Sequence, residues 1–192
     1  MEISRDRLDA LGDGIFGVAM TLLVLDVRLP DDFTAQTSQE LLNGIFALGP
    51  KFLPYLLSFY VLGERWMSEA QQRQAQSDEK YSRRYAQVWL LLLFLVTCTP
   101  LTTTVIGRFA SIPPAIWLYV GNIVALAVVS YWLATLGHRE SETLRARTIA
   151  LGVVMFSGAL AIGVSFFAPH QAILALLVSM FTPVFVRWGT RA

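Results

Sequence analysis

Three long stretches without a single Asp, Glu, Lys or Arg govern what this chain can fold into: residues 88–107, 109–137 and 148–186. An apolar helix of about 20 residues crosses a hydrocarbon core of about 30 Å. Charged residues make up 15% of the chain and gather between these stretches, against about 25% in soluble domains. The pattern implies an all-α, multi-pass membrane protein folded as one domain over residues 1–192, with the lipid bilayer as its first partner.

Placing the spans from the uncharged runs predicts six. The first covers about 11–29. Gly49-Pro50-Lys51 interrupts the next apolar region, so 38–48 reads as a short amphipathic helix outside the membrane and 51–66 as the second span. The third covers 88–107. The fourth covers 113–136 and starts at Pro113-Pro114, where proline suits a first helical turn. The run 148–186 is too long for one helix, and Pro169-His170-Gln171 divides it into spans at 148–168 and 171–187. The polar stretch 64–87 reads as helical extensions of its neighbours with a turn near Ser77-Asp78.

An even number of spans puts both termini on one side. With six, all the Lys and Arg residues fall on that side except Arg28, Lys51 and Arg108. By the positive-inside rule the termini are cytoplasmic, in a cell-membrane protein. The N-terminus lacks the pattern of a cleaved signal peptide, so the first helix is expected to stay attached.

Several chemistries are excluded. Cys98 is the only cysteine, which rules out an internal disulfide and a cysteine metal site. His138 and His170 have no metal-ligand spacing. No Ser/His/Asp set or phosphate loop can be assembled, which argues against an enzyme and implies no cofactor. There is no basic patch interleaved with aromatics, so no nucleic-acid partner is expected. Most hydroxyls in the spans suit interhelical hydrogen bonds, although Thr102-Thr103-Thr104 lie where they could line an outer vestibule.

The first span is the anomaly. Between Asp13 and Asp26 lie only residues 14–25, roughly 18 Å of helix at about 1.5 Å per residue. A lipid-facing aspartate near mid-bilayer costs about 2.5–3.5 kcal/mol on insertion scales. A short apolar core with charged ends suits a helix that faces protein or water. On a wheel at about 100° per residue, Val18, Leu22 and Leu25 fall within about 60°, with Gly14 and Thr21 beside them. Asp26 lies roughly 40° beyond Leu22, and Asp13 about 140° from Val18. Copies of this helix around an axis would make an apolar constriction with an acidic ring at its outer mouth. Such a stripe fits plain packing as well, and the residues alone leave both open.

The segment RLDALGDGIFGVAMTLLVLDVRLP resembles the first helix of the transmembrane protein 175 family of lysosomal and prokaryotic potassium channels. Arg7, Asp13, Gly14, Phe16 and the run Thr21-Leu22-Leu23-Val24-Leu25-Asp26 carry the likeness. KFLPYLLSFYVLGERW adds a Tyr-x-x-Ser-Phe element and Trp66, and the specific match ends near residue 70.

The resemblance implies a homotetramer of six-span subunits, with the four first helices lining the pore and no TVGYG-type filter. It implies Val18, Leu22 and Leu25 as constriction residues, Thr21 as a selectivity residue and Asp26 at the outer mouth. Arg7, Asp13 and Trp66 become a structural or gating network. The expected function is a potassium-preferring cation channel that also passes some Na+. The alternatives are a proton or coupled cation transporter, or a non-conducting scaffold. Three departures stand out. Leu11-Gly12 replaces the family's Phe-Ser, Glu69 stands where a histidine is common, and Val18 is smaller than the usual constriction residue. The last implies a looser inner constriction and weaker K+/Na+ discrimination.

Overall fold

The computed structural model describes residues 5–74, 82–136, 141–183 and 185–186. Helix α1 (Arg5–Leu22) tightens into a 3-10 turn at Leu23–Asp26. A short α2 (Ser38–Phe46) precedes α3 (Gly49–Gln74), and α4 (Arg83–Phe109) precedes α5 (Pro113–Leu136). Helix α6 (Ser141–Ser165) leads to α7 (Pro169–Ala175), which tightens into a second 3-10 turn at Leu176–Phe181. No strand occurs among the described residues. The turn expected near Ser77-Asp78, and His138, lie outside them.

Four helical segments are long and apolar enough to cross a membrane: Asp6–Asp26, Arg83–Phe109, Pro113–Leu136 and Leu144–Ser165. Helices α2 and α3 qualify together as a fifth, bent by 46° between them. The chain is therefore a multi-pass membrane protein. The fourth expected span coincides with α5, whereas α1, α3, α4 and α6 all begin before the expected limits. Charge marks where a helix leaves the hydrocarbon, not where it stops. Asp9 and Asp13 lie inside α1, and Arg145 and Arg147 inside α6.

In the segment expected at 171–187 an apolar helix runs over Gln171–Phe181, and residues 182, 183, 185 and 186 are helical as well. Ser179 and Thr182 turn their hydroxyls back onto the carbonyls of Leu176 and Ser179. The same i−3 hydroxyl bonds occur inside the regular helices, as at Thr97 of α4 and Ser157 of α6.

Helices α4, α5 and α6 pack side by side, with α1 and α3 against α4 and α7 against α6. The core includes Leu57 and Leu62 of α3, Leu92, Val96 and Ile106 of α4, and Tyr119 and Leu133 of α5. Mid-bundle polar groups are paired across helices. Ser58 Oγ lies 2.7 Å from Thr103 Oγ1 and 2.9 Å from Tyr119 Oη, and Asn122 Nδ2 donates to Thr99 Oγ1 at 3.0 Å. These bonds replace water that the interior cannot supply.

The two ends of the bundle differ in charge chemistry. At one end Arg28, Lys51 and Arg108 come together, the three basic residues that the positive-inside count set apart. Lys51 Nζ donates to the Arg28 carbonyl at 3.3 Å, and Gly107 lies beside the Lys51 backbone. At the other end Arg147 of α6 is buried. It donates to Glu69 Oε1 of α3 at 2.7 Å and to Ser130 Oγ of α5 at 3.0 Å, and Arg65 also donates to Ser130. A buried pair is costly to break because its survivor is left without a counter-charge, at about 3–5 kcal/mol. Glu69→Gln leaves Arg65 and Arg147 together without their carboxylate. It should therefore lower stability by about 3–5 kcal/mol, and by more than Arg147→Gln. Thermal unfolding of both variants in detergent checks the order, and equal losses would contradict it.

Candidate functional site

Helix α1 has two faces, and its sequence assigns them. Leu8, Gly12, Phe16, Ala19 and Leu23 recur at helical spacing and are buried against α3 and α4. The Trp89 indole donates to the Leu8 carbonyl at 3.2 Å, which fixes the start of this face. The opposite face carries Leu11, Gly14, Val18, Thr21, Leu22 and Leu25. Phe16 is 1% exposed and Ala19 2%, whereas Val18 is 59%, Leu22 45% and Leu25 63% exposed. The stripe derived from the wheel is thus the face of α1 that its own chain leaves uncovered.

Small residues shape this face. A Cβ added at Gly14 or Gly17 would meet nothing within 4 Å. Thr21 donates its hydroxyl to the Val18 carbonyl at 2.8 Å, which satisfies the proton and leaves oxygen lone pairs outward. Beside the stripe an apolar groove of about 370 Å³ runs between α1 and Thr97 of α4, lined by Leu11, Gly14, Ile15, Val18 and Leu22.

Both carboxylates that bracket the apolar segment are held by another helix. Trp66 of α3 donates its indole N–H to Asp13 Oδ1 at 2.9 Å. Arg108 of α4 donates to Asp26 Oδ1 through Nη2 at 2.6 Å and Nε at 3.1 Å. Asp26, expected at the outer mouth, thus carries a guanidinium counter-charge within its own chain. Helix α1 is continuous through Arg7 and Asp13, which places them about 120° apart on its surface. The network therefore joins Asp13 to Trp66, while Arg7 stands exposed on another face.

The family departures also find places. Leu11 faces the groove and Gly12 the packed side of α1. Glu69 accepts from Arg147 in the buried cluster. Of the three threonines, Thr102 and Thr103 are buried in the bundle, and Thr104 lines an outer recess with Leu22, Leu25, Asp26 and Arg108. Arg108 and Arg147 escaped the sequence reading. Their signal was position: each sits at an end of an uncharged run, where a guanidinium can reach across the bundle end. Among the described residues no group of His, Cys, Asp and Glu could hold a metal ion.

A family model described as the endosomal/lysosomal potassium channel TMEM175 matches residues 7–100. A potassium channel of Chamaesiphon minutus is 30% identical over 127 residues, 64% of this chain and 61% of that protein. A potassium channel of Streptomyces collinus is 26% identical over 173 residues, 83% of this chain and 82% of that one. Over residues 7–100 the chain is similar to the TMEM175 family.

The fold agrees across the whole length. The crystal structure of a lysosomal potassium-selective channel TMEM175 homologue from Chamaesiphon minutus matches with a TM-score of 0.72. That match covers 97% of this chain and 98% of that one at 22% identity. The human endosomal/lysosomal proton channel TMEM175 is 35% identical over 71 residues, 34% of this chain but 14% of that protein. The Trp66–Asp13 bond has a definite weight here. Trp66→Phe keeps the ring and deletes the donor, and should cost about 1 kcal/mol. Thermal unfolding beside Asp13→Asn, which keeps an acceptor, checks it. A Trp66→Phe protein as stable as the parent would contradict the bond.

Proposed function

We propose that this chain is one subunit of a potassium-preferring cation channel of the cell membrane. Four copies of α1 surround an axis, and Val18, Leu22 and Leu25 form the constriction in place of a TVGYG-type filter. Both termini face the cytoplasm, and the channel is passive, with K+ and more weakly Na+ as permeant ions and no cofactor. The observation that carries this reading is the uncovered stripe of α1, apolar and bounded by two aspartates.

The alternative cover for that stripe is lipid, and three features argue against it. The uncharged segment spans roughly 18 Å at about 1.5 Å per residue, well short of a hydrocarbon core. Asp13, on the flank of the stripe, is itself exposed, and lipid around that flank would carry the insertion cost of a charge. The stripe also sets the small residues Gly14 and Thr21 beside Leu22 and Leu25, whereas other exposed faces of the bundle present Phe94, Leu101, Phe156 and Phe167. Small residues admit close approach of helices, and large apolar ones suit lipid. An apolar constriction of this kind gates by excluding water.

The name of the human relative favours a second reading, proton conduction through the same pore. Ion flux in liposomes separates the two. K+, Na+ and H+ gradients are imposed in turn on the reconstituted protein. K+ flux above Na+ and H+ flux is expected. H+ flux alone would favour the second reading, and no flux with confirmed insertion would favour a scaffold. Leu22→Ala and Leu25→Ala should each raise K+ flux several-fold by widening the dry segment, and Val18→Leu should lower it. Unchanged flux in all three variants would remove the stripe from the ion path.

A further inference from the structure

We infer that Arg108 determines permeation at the outer mouth by neutralising Asp26 beside the ion path; this rests on the channel reading above. Asp26 follows Leu25 directly and closes the 3-10 turn that ends the stripe. A carboxylate at that place would concentrate cations at the entrance, since clefts of one sign raise local counter-ion levels by tenfold or more. Its charge is instead matched by a guanidinium. Two donors of Arg108 converge on Oδ1, and the Asp26 side chain is only 13% exposed.

Helix α4 is built to deliver this group. Arg108 stands in its last turn, preceded by Gly107, where even an added Cβ would sit 3.6 Å from Asp26 Oδ2. A larger side chain there would compete with the carboxylate for space. Thr104, one turn earlier, lines the same open recess of about 620 Å³ as Leu22 and Leu25. The end of α4 therefore borders the face that α1 turns to the axis. Arg108 is half exposed on that recess, so it can meet a passing ion as well as its partner.

The consequence is a mouth with little net field at Asp26. Removing the guanidinium while keeping a polar side chain turns each Asp26 into an uncompensated carboxylate. Four of them around an axis attract K+ electrostatically and offer hard oxygen ligands that a divalent cation prefers. Both effects are strongest in dilute salt, because the Debye length falls from about 20 Å at about 20 mM to about 3 Å at about 1 M.

The test compares K+ current through the reconstituted full chain in planar bilayers for wild type, Arg108→Gln and the double variant Asp26→Asn/Arg108→Gln. Arg108→Gln should raise current on the order of threefold at about 20 mM KCl, with the gain vanishing at about 1 M. It should also acquire block by external Ca2+ that wild type lacks. The double variant should lose both the gain and the Ca2+ block. If wild type conducts and Arg108→Gln matches it in dilute salt, the inference is overturned and the channel reading stands. The same holds if the single and double variants behave alike, which would mark a structural effect of the arginine. No current from wild type with confirmed insertion would overturn the channel reading and this inference together.

Discussion

The shortness of the apolar segment between Asp13 and Asp26 is the constraint on which the rest of the structure depends. Residues 14–25 are too few to cross a hydrocarbon core on their own. A helix like this holds its place only when other helices receive its charged ends and cover its sides. One side is covered within the chain, by α3 and α4 against Leu8, Phe16, Ala19 and Leu23. The other is left for something outside the chain.

The two carboxylates also set how α1 is held. Trp66 grips Asp13 from α3, and Arg108 grips Asp26 from α4. Two polar bonds near opposite ends, to two different helices, fix the rotation of α1 about its own axis. Rotation matters because a turn of about 100° per residue would exchange Val18 for Ala19 on the uncovered face. Below Trp66, α3 continues into Glu69 and its bond to Arg147 of α6. The helix that orients α1 is thus itself anchored to the far side of the bundle, through a buried cluster in which Arg65 and Arg147 share the Ser130 hydroxyl.

Much of this was legible in the sequence. The uncharged runs located α4, α5 and α6, because burial in lipid tolerates few charges. The wheel located the uncovered stripe, because α1 is regular over residues 5–22 and the period of 3.6 holds there. The limits of the helices were less legible. A charged residue such as Arg147 can continue a helix beyond the apolar run when a partner like Glu69 waits across the bundle. Beyond His170 the 3-10 geometry of Leu176–Phe181 was not legible, because apolar composition alone does not tell a 3-10 turn from an α-helix. Arg108 was hidden because its partner lies 82 residues away in the chain. Only the packing of α1 against α4 brings Asp26 within reach, and no local pattern announces it.

The central claim is that copies of α1 face one another across a shared axis. Single cysteines placed in a Cys98→Ala background test it in native membranes with an oxidising catalyst. Leu22→Cys and Leu25→Cys chains should form disulfide-linked dimers on a denaturing gel. Leu160→Cys on the exposed surface of α6 should remain monomeric. Cross-linking at position 160 with none at 22 or 25 would contradict the claim, and would mean that this face of α1 meets lipid.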